Sequence, residues 1–538
     1  MKAVNVVNNR RLLALSRQVG AQFLRRVIKG QPPVVFFNAS TRIGGISQNA
    51  AFSFLTSSAL QLAGIPVVHF ACKAGMSRCV LGTNKDDPTD AMPCRSCQAA
   101  SFWLYSNAPT ITYTYQEDPA LAKALEGLSV AEMMAFTWSL PAVGQAVQQK
   151  FPPIPLGALV LPALRWVLRR QNLQDDAPTR LLGREFILST YRVACEFAVL
   201  VRQIEPQILV EFNGVMFPEA AARWVAEQSG IRVITFEVGL QPFTGYFTDG
   251  DATAYPIDIP ESFQLSSAQN ERLDAYLEQR FQGKFTMAGI RFWPEMSGLD
   301  EPLLERIRQY RQMVVVFSNV IFDTSQVHAN KVFADMFHWL DEIRNMAQEN
   351  PDTLFVLRAH PDELRPGKES RESVAEWVAR SGFERLPNVI FFNSNQYISS
   401  YELIRRAKFV LVYNSSIGLE ASLMGAVVLN GGKARYTQLP IVYFPDTIES
   451  HRRTVAEFLS ADHLDADPVM QNNARRFLYY QLFRTSLPFG EYLDRHPNPT
   501  MVKIRNFSWQ KLDPQNSAVM KIVTDGILHG KPFLLETE

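Results

Sequence analysis

Hydrophobic positions along the chain fall into two patterns. Short unbroken runs rich in β-branched and aromatic residues recur: VVFF at 34–37, PVVHFA at 66–71, ILVEF at 208–212 and IRVITF at 231–236. Runs of this kind, apolar on both faces, mark parallel strands buried between layers of helix. Between them lie longer stretches with helical punctuation. Ser47 stands where it can cap a helix, and Gly64 supplies a left-handed stop. Pro218 suits a first helical turn, and Gly230 ends that helix. Strand, loop, helix and strand in this order require a right-handed parallel crossover. A second set of runs begins with MVVVF at 313–317 and continues through LFVLR at 354–358, VIFF at 389–392, FVLVY at 409–413 and VVLN at 427–430. Helical segments near 331–349, 369–382, 400–407 and 416–424 separate them.

This alternation predicts an α/β chain with two doubly wound, Rossmann-like sheets facing a cleft. The expected organisation is an N-terminal α/β domain over 1–300, a second α/β domain over 301–470, and a C-terminal helix and tail over 471–538 that packs back on the first. Within the first domain, 72–97 is a cysteine-rich loop and 98–200 reads as a helical insertion. A charged, mainly helical segment, 260–310, joins the halves.

Composition narrows the classes. The chain has 538 residues, enough for a substantial core without disulfides. Lys+Arg is 54 against Asp+Glu 53, a net charge of +1, which removes the bulk-electrostatic argument for a nucleic-acid partner. Residues 1–26 are interrupted by Arg10, Arg11, Arg17, Arg25 and Arg26, so they lack the apolar core of a signal peptide. No apolar stretch reaches the roughly 18 residues of a spanning helix. The most apolar run, PPIPLGALVLPAL at 152–164, reads as a buried helix; its alternative is a peripheral membrane contact. Together these readings place the chain in a cytoplasmic, reducing compartment, if anywhere near a membrane then at its inner face.

In doubly wound sheets ligands sit beyond the carboxyl ends of the strands. There the second half carries Ser318, Asn319 and Asp323; then Arg358, His360, Pro361, Asp362 and Glu363; then Ser415, Ser416 and Glu420; then Gly431, Gly432 and Lys433. Serines at a helix start meet free N–H groups that attract phosphate. Glu420, one turn on, can accept ribose hydroxyls. Arg358 and His360 can donate to phosphate oxygens. Each feature alone also has a plain reading, such as a simple N-cap; several on successive strand ends point to a nucleotide site.

The segments FSNVIFD, HWL, LRAHPDE and YNSSIGLEASLMG, within 310–445, resemble the C-terminal half of bacterial surface-polysaccharide glycosyltransferases of the GT-B fold. Capsule-biosynthesis transferases and bacterial polysialyltransferases share the His-Pro and Ser-Ser motifs, and teichoic-acid glycerophosphotransferases have a related His-Pro loop. The resemblance implies a nucleotide-sugar donor and a glycan or lipid-linked glycan acceptor. It implies that His360, Ser415 and Ser416 hold the donor phosphates, and that Glu420 holds the ribose or cytidine side.

An inverting transfer needs a base for the acceptor hydroxyl. Candidates are Glu211, Glu237, Asp249 and Asp251. Polysialyltransferases carry an acidic-acidic-Gly motif for this task. This chain has Glu237-Val238-Gly239, so Glu237 is the first choice although the second acidic position is filled by Val. The loop of Arg42, Gly44 and Gly45 lets backbone approach an acceptor or phosphate closely.

Cys72, Cys79, Cys94 and Cys97 form C-x6-C-x14-C-x2-C, a spacing that fits a tetrahedral structural zinc. Unbound thiols or an iron–sulfur cluster are the alternatives, and His69 could replace one ligand. The loop between the pairs has little else to hold it. No catalytic metal is expected. Beside the transferase stand two other readings: a sugar-nucleotide 2-epimerase, and a non-catalytic scaffold.

Overall fold

The computed structural model describes residues 2–39, 45–141, 151–281, 296–367 and 369–536. The chain is a mixed α/β structure built on parallel sheets. The first sheet contains β1 (Val34–Asn38), β2 (Val67–Cys72), β3 (Thr110–Tyr113), β4 (Ile208–Phe212), β5 (Arg232–Val238) and β6 (Thr244–Asp249). The second contains β7 (Gln312–Phe317), β8 (Thr353–Arg358), β9 (Val389–Phe392), β10 (Phe409–Val412) and β11 (Val428–Asn430). The short β12 (Leu487–Pro488) returns to the first sheet and pairs antiparallel with β6.

Strand order is β12-β6-β5-β4-β1-β2-β3 in the first sheet and β11-β10-β7-β8-β9 in the second. The parallel parts share one plan: first and fourth strands adjacent at the centre, order reversing between them. That reversal opens a crevice at the carboxyl ends of β1 and β4, and again at those of β7 and β10.

The two-sided burial follows from residue alternation. In β1, Val35 and Phe37 join one core with the helices Leu156–Leu168 and Ala177–Ile204, while Val34 and Phe36 join another with Lys2–Arg26 and Gln48–Leu62. In β7, Val315 and Phe317 face one core, Val314 and Val316 the other. β1 and β7 are wetted on neither side, which is why their sequences are unbroken apolar runs. Ser47 caps its helix as expected, accepting from Ala50 N at 3.1 Å.

Three features depart from the sequence reading. β3 sits inside the segment read as helical; TITY is an exposed edge strand with weak patterning. β6 was not anticipated, because its glycine and threonines break the apolar run. The run 152–164 contributes to the helix Leu156–Leu168, whose Val160, Ala163 and Leu164 are fully buried, so that part is core. No helix among the described residues is long and apolar enough to cross a membrane. Residues 487–535 pack into the core beneath the first sheet, where Leu487, Phe489, Met520 and Ile527 meet Phe52 and Leu60.

Candidate functional site

Arg358 ends β8 and turns inward; it is 6% exposed. Among the described residues no carboxylate pairs with it. Its Nη2 lies 3.7 Å from Met296 Sδ, and its Nε is buried without a hydrogen-bond partner. Burial pulls this guanidinium down to about 10. It therefore stays charged at neutral pH, and a buried cation without a counter-charge calls for an anion.

His360 follows two residues on. Its backbone N–H donates to Ser318 Oγ at 3.2 Å, and its Nδ1 accepts from Asp362 N at 3.2 Å. With Nδ1 accepting, the neutral ring carries its proton on Nε2. Burial holds the ring below its ordinary range; Asp362 opposes this and Arg358 adds to it. The imidazole is thus a neutral donor beside a cation.

The His-Pro loop is anchored by Glu363, 1% exposed, which accepts from Ser394 Oγ at 3.0 Å and Val374 N at 3.2 Å. Burial pushes its carboxyl up to about 7. An unfolded glutamate titrates at about 4.3, so the folded chain keeps a proton that the unfolded chain releases. Stability on this account falls as pH rises from about 4.3 to about 7, and levels off above. Glu363→Gln keeps the shape without the ionisation. It should raise the melting temperature relative to the parent at about pH 8 and change it little near pH 4.5. A larger gain at the acid end would contradict this.

At the β7–β10 crevice, Asn319 Nδ2 donates to Asn414 Oδ1 at 2.8 Å, and Gln326 Nε2 to the same oxygen at 3.3 Å. Asn319 therefore shapes the loops and is committed to protein partners. Ser415 is buried and its carbonyl accepts from Tyr436 OH at 2.8 Å. Ser416 is exposed at the start of Ile417–Leu423, and its side chain makes no cap bond to that helix. Its hydroxyl lies 3.5 Å from Glu420 Oε1.

Glu420 is tied to protein donors. Its Oε1 accepts from Arg280 Nη2 at 2.5 Å and its Oε2 from Tyr401 OH at 2.6 Å. Both oxygens have protein donors, in a pair whose side chains are 12% and 8% exposed. The geometry makes Glu420 a tie between the connecting helix Ser267–Phe281 and the Ser-Ser loop.

In the first sheet, Glu237 lies near the carboxyl end of β5. Its Oε1 accepts from Asn213 Nδ2 at 2.6 Å. Burial raises its carboxyl; Asn213 and Arg435 oppose the shift, and Asp323 reinforces it. Arg435 and Asp323 belong to loops after β11 and β7, so Glu237 looks toward the strand ends of the second sheet. Asp323 also acts on His360. A stack completes the approach: Tyr246, cross-strand from Glu237, lies 3.8 Å from Tyr255, and Arg435 sits 4.8 Å above the Tyr255 ring.

The other base candidates are placed differently. Glu211 is fully buried with neither oxygen bonded, and burial pushes its carboxyl well up. Asp249 sits at the opposite end of β5 from Glu237 and is held by both Nε and Nη2 of Arg232 at 2.6 and 2.8 Å. Burial would push Asp251 up, but hydrogen bonds from His328 and Thr253 hold it at about 2, too weak a base.

Arg42 and Gly44 lie outside the described residues. Gly45 packs under the C-terminal segment: a Cβ there would stand 2.3 Å from Met501 Sδ. That close approach gives this glycine a packing role.

Cys72, Cys79, Cys94 and Cys97 line one cavity of about 30 Å³. Burial pushes Cys72 to about 11 and Cys79 to about 12, so both are thiols when no cation is near. Among the described residues no three His, Cys, Asp or Glu side chains are gathered closely enough to hold an ion as they stand. His69 is excluded as a ligand. Its Nδ1 is 2.9 Å from Asn38 Nδ2 and its Nε2 3.0 Å from Asn107 Oδ1, with the residue fully buried. The loop between the cysteine pairs also has more anchors than expected: Asp86 meets Arg169 at 2.6 Å and Arg371 at 3.0 Å.

Sequence reasoning missed Arg435, Tyr401 and Arg280. Arg435 lies just past the Gly431-Gly432-Lys433 turn, so the loop-after-strand rule could have found it. The other two come from helices, with no local signal.

Residues 294–453 match the model of a family described as capsule polysaccharide biosynthesis protein. That segment holds Asn319, Arg358, His360, Ser415, Ser416, Glu420 and Arg435. Protein FixF of Sinorhizobium fredii (strain NBRC 101917 / NGR234) is 35% identical over 102 residues, 19% of this chain and 22% of that protein. The chain thus spans about a fifth of the length of that curated relative. Among solved structures, KpsC of Thermosulfurimonas dismutans, a β-Kdo 2,4 transferase, is similar at 11% identity and a TM-score of 0.33, covering 52% of this chain and 80% of that one. UDP-GlcNAc 2-epimerase of Methanocaldococcus jannaschii, in complex with UDP-GlcNAc and UDP, is similar at 10% identity and a TM-score of 0.25, covering 83% of this chain and 99% of that one.

Proposed function

We propose that the chain is a glycosyltransferase of the GT-B type. It moves a sugar from a nucleotide-activated donor onto a surface-polysaccharide or lipid-linked glycan acceptor. The two sheets are the cores of an acceptor-side and a donor-side domain. The observation that carries the reading is Arg358: a buried cation with no carboxylate partner among the described residues, beside a neutral imidazole donor. Those two groups suit the phosphates of a sugar nucleotide, which leave as an anion. The match of 294–453 to the capsule family supports the surface-glycan acceptor.

In this mechanism Arg358 holds the leaving phosphate as negative charge develops. His360 donates Nε2–H to a phosphate oxygen. Ser415 and Ser416, at the end of β10, add hydroxyl donors to the same phosphates, and Asn319 and Glu420 set the loops that carry them. Glu237, made more basic by burial, takes the acceptor hydroxyl proton as that oxygen attacks the anomeric carbon. Asn213 holds Glu237, and the charge of Arg435 acts on it from the loop after β11.

The test is incubation with single nucleotide sugars, with and without a glycan acceptor. Nucleotide release that requires acceptor is the expected result. A new sugar nucleotide formed without acceptor would mean an isomerase, and neither product would mean a scaffold.

A further inference from the structure

The four cysteines are not among the residues of the proposed transfer site, and nothing in that chemistry uses them. Each of the first two begins a tight turn of the form Cys-x-x-Gly. Gly75 N donates to Cys72 Sγ at 3.1 Å, and Gly82 N donates to Cys79 Sγ at 3.2 Å. Gly75 is sterically required, since a Cβ there would lie 2.2 Å from the Tyr113 ring, and a Cβ on Gly82 would stand 2.9 Å from Cys79 Sγ. Backbone N–H groups aimed at sulfur are the donors that a metal-bound thiolate needs around it. The other two cysteines occupy the first turn of Cys94–Leu104, three residues apart and so on one face, where the helix also favours negative charge. Two thiol turns and one helix start therefore border the same small space.

We propose that Cys72, Cys79, Cys94 and Cys97 bind one zinc ion, which pins the loop they enclose. On binding, the four thiols give their protons to solvent, and the sulfurs draw inward around the ion. The site is closed and structural, because all four zinc positions are filled by protein.

The pinned loop reaches the second half of the chain. Asp86 pairs with Arg169 and with Arg371; Arg371 also donates to Lys85 O at 3.0 Å, and its own N–H to Arg169 O at 3.0 Å. Lys85 Nζ sits 3.5 Å over the Trp166 ring. Zinc thus holds a strap between the strand ends of the first sheet and the segment that follows the His-Pro loop.

The experiment is elemental analysis of the full chain purified without chelator, with X-ray absorption at the zinc edge. About one zinc per chain, ringed by sulfur at about 2.3 Å, is the expected result. Cys94→Ser/Cys97→Ser should lose most of the metal, and Cys195→Ser should keep it. Stripping the parent protein with a chelator should make Lys85 sensitive to trypsin, and adding zinc back should protect it. Iron with acid-labile sulfide, four freely reactive thiols without metal, or zinc retained in the double variant would each overturn the assignment. None of these results bears on whether nucleotide sugars are turned over.

Discussion

Glu237→Gln is expected to lower turnover by about 10²- to 10⁴-fold while leaving nucleotide affinity unchanged. Glutamine keeps the length of the side chain and the bond from Asn213 Nδ2, but it cannot take a proton. Burial raises the Glu237 carboxyl, which moves it toward the working pH of a base. The effect should appear in kcat, because the proposed phosphate donors, Arg358 and His360, follow β8 of the second sheet, whereas Glu237 lies on β5 of the first. Steady-state kinetics beside calorimetry separate the two. Near-normal kcat would remove Glu237 from the proton path, and Asp249 and Asp251 are poorly placed to replace it.

Arg358→Gln should have a comparable cost through a different route. Loss of a charged donor to phosphate removes roughly 1.5–3 kcal/mol, or one to two decades of affinity. The leaving group gains charge in the transition state, so kcat should fall as well. The melting temperature of the unliganded protein should hold or rise, because the substitution deletes a buried cation that has no carboxylate partner among the described residues. Thermal melts with and without nucleotide read both effects. A large fall in the unliganded melting temperature would assign Arg358 to structure.

The strand skeleton was legible because buried parallel strands leave an unbroken apolar run. VVFF, MVVVF and FVLVY each mark a strand to within a residue or so. TITY and TGYFTD were not legible, one being an exposed edge and the other an antiparallel strand interrupted by glycine. The chemistry of the strand ends was half visible. His360 and Arg358 follow β8 in sequence, so a local rule finds them. The partners that decide what Glu420 can do, Arg280 and Tyr401, lie 140 and 19 residues away and are set by tertiary packing alone. Gly45 shows the same limit. A glycine pair looks like a ligand loop, but the neighbour that Gly45 packs against is Met501, near the far end of the chain.

The most direct test of the donor pocket is calorimetric titration of the full chain with CMP, CDP, UDP, GDP and dTDP, repeated on Arg358→Gln and His360→Ala. One nucleotide should bind the parent protein, and each variant should bind it about tenfold or more weakly. Equal affinity in all three proteins would contradict a phosphate site at Arg358 and His360.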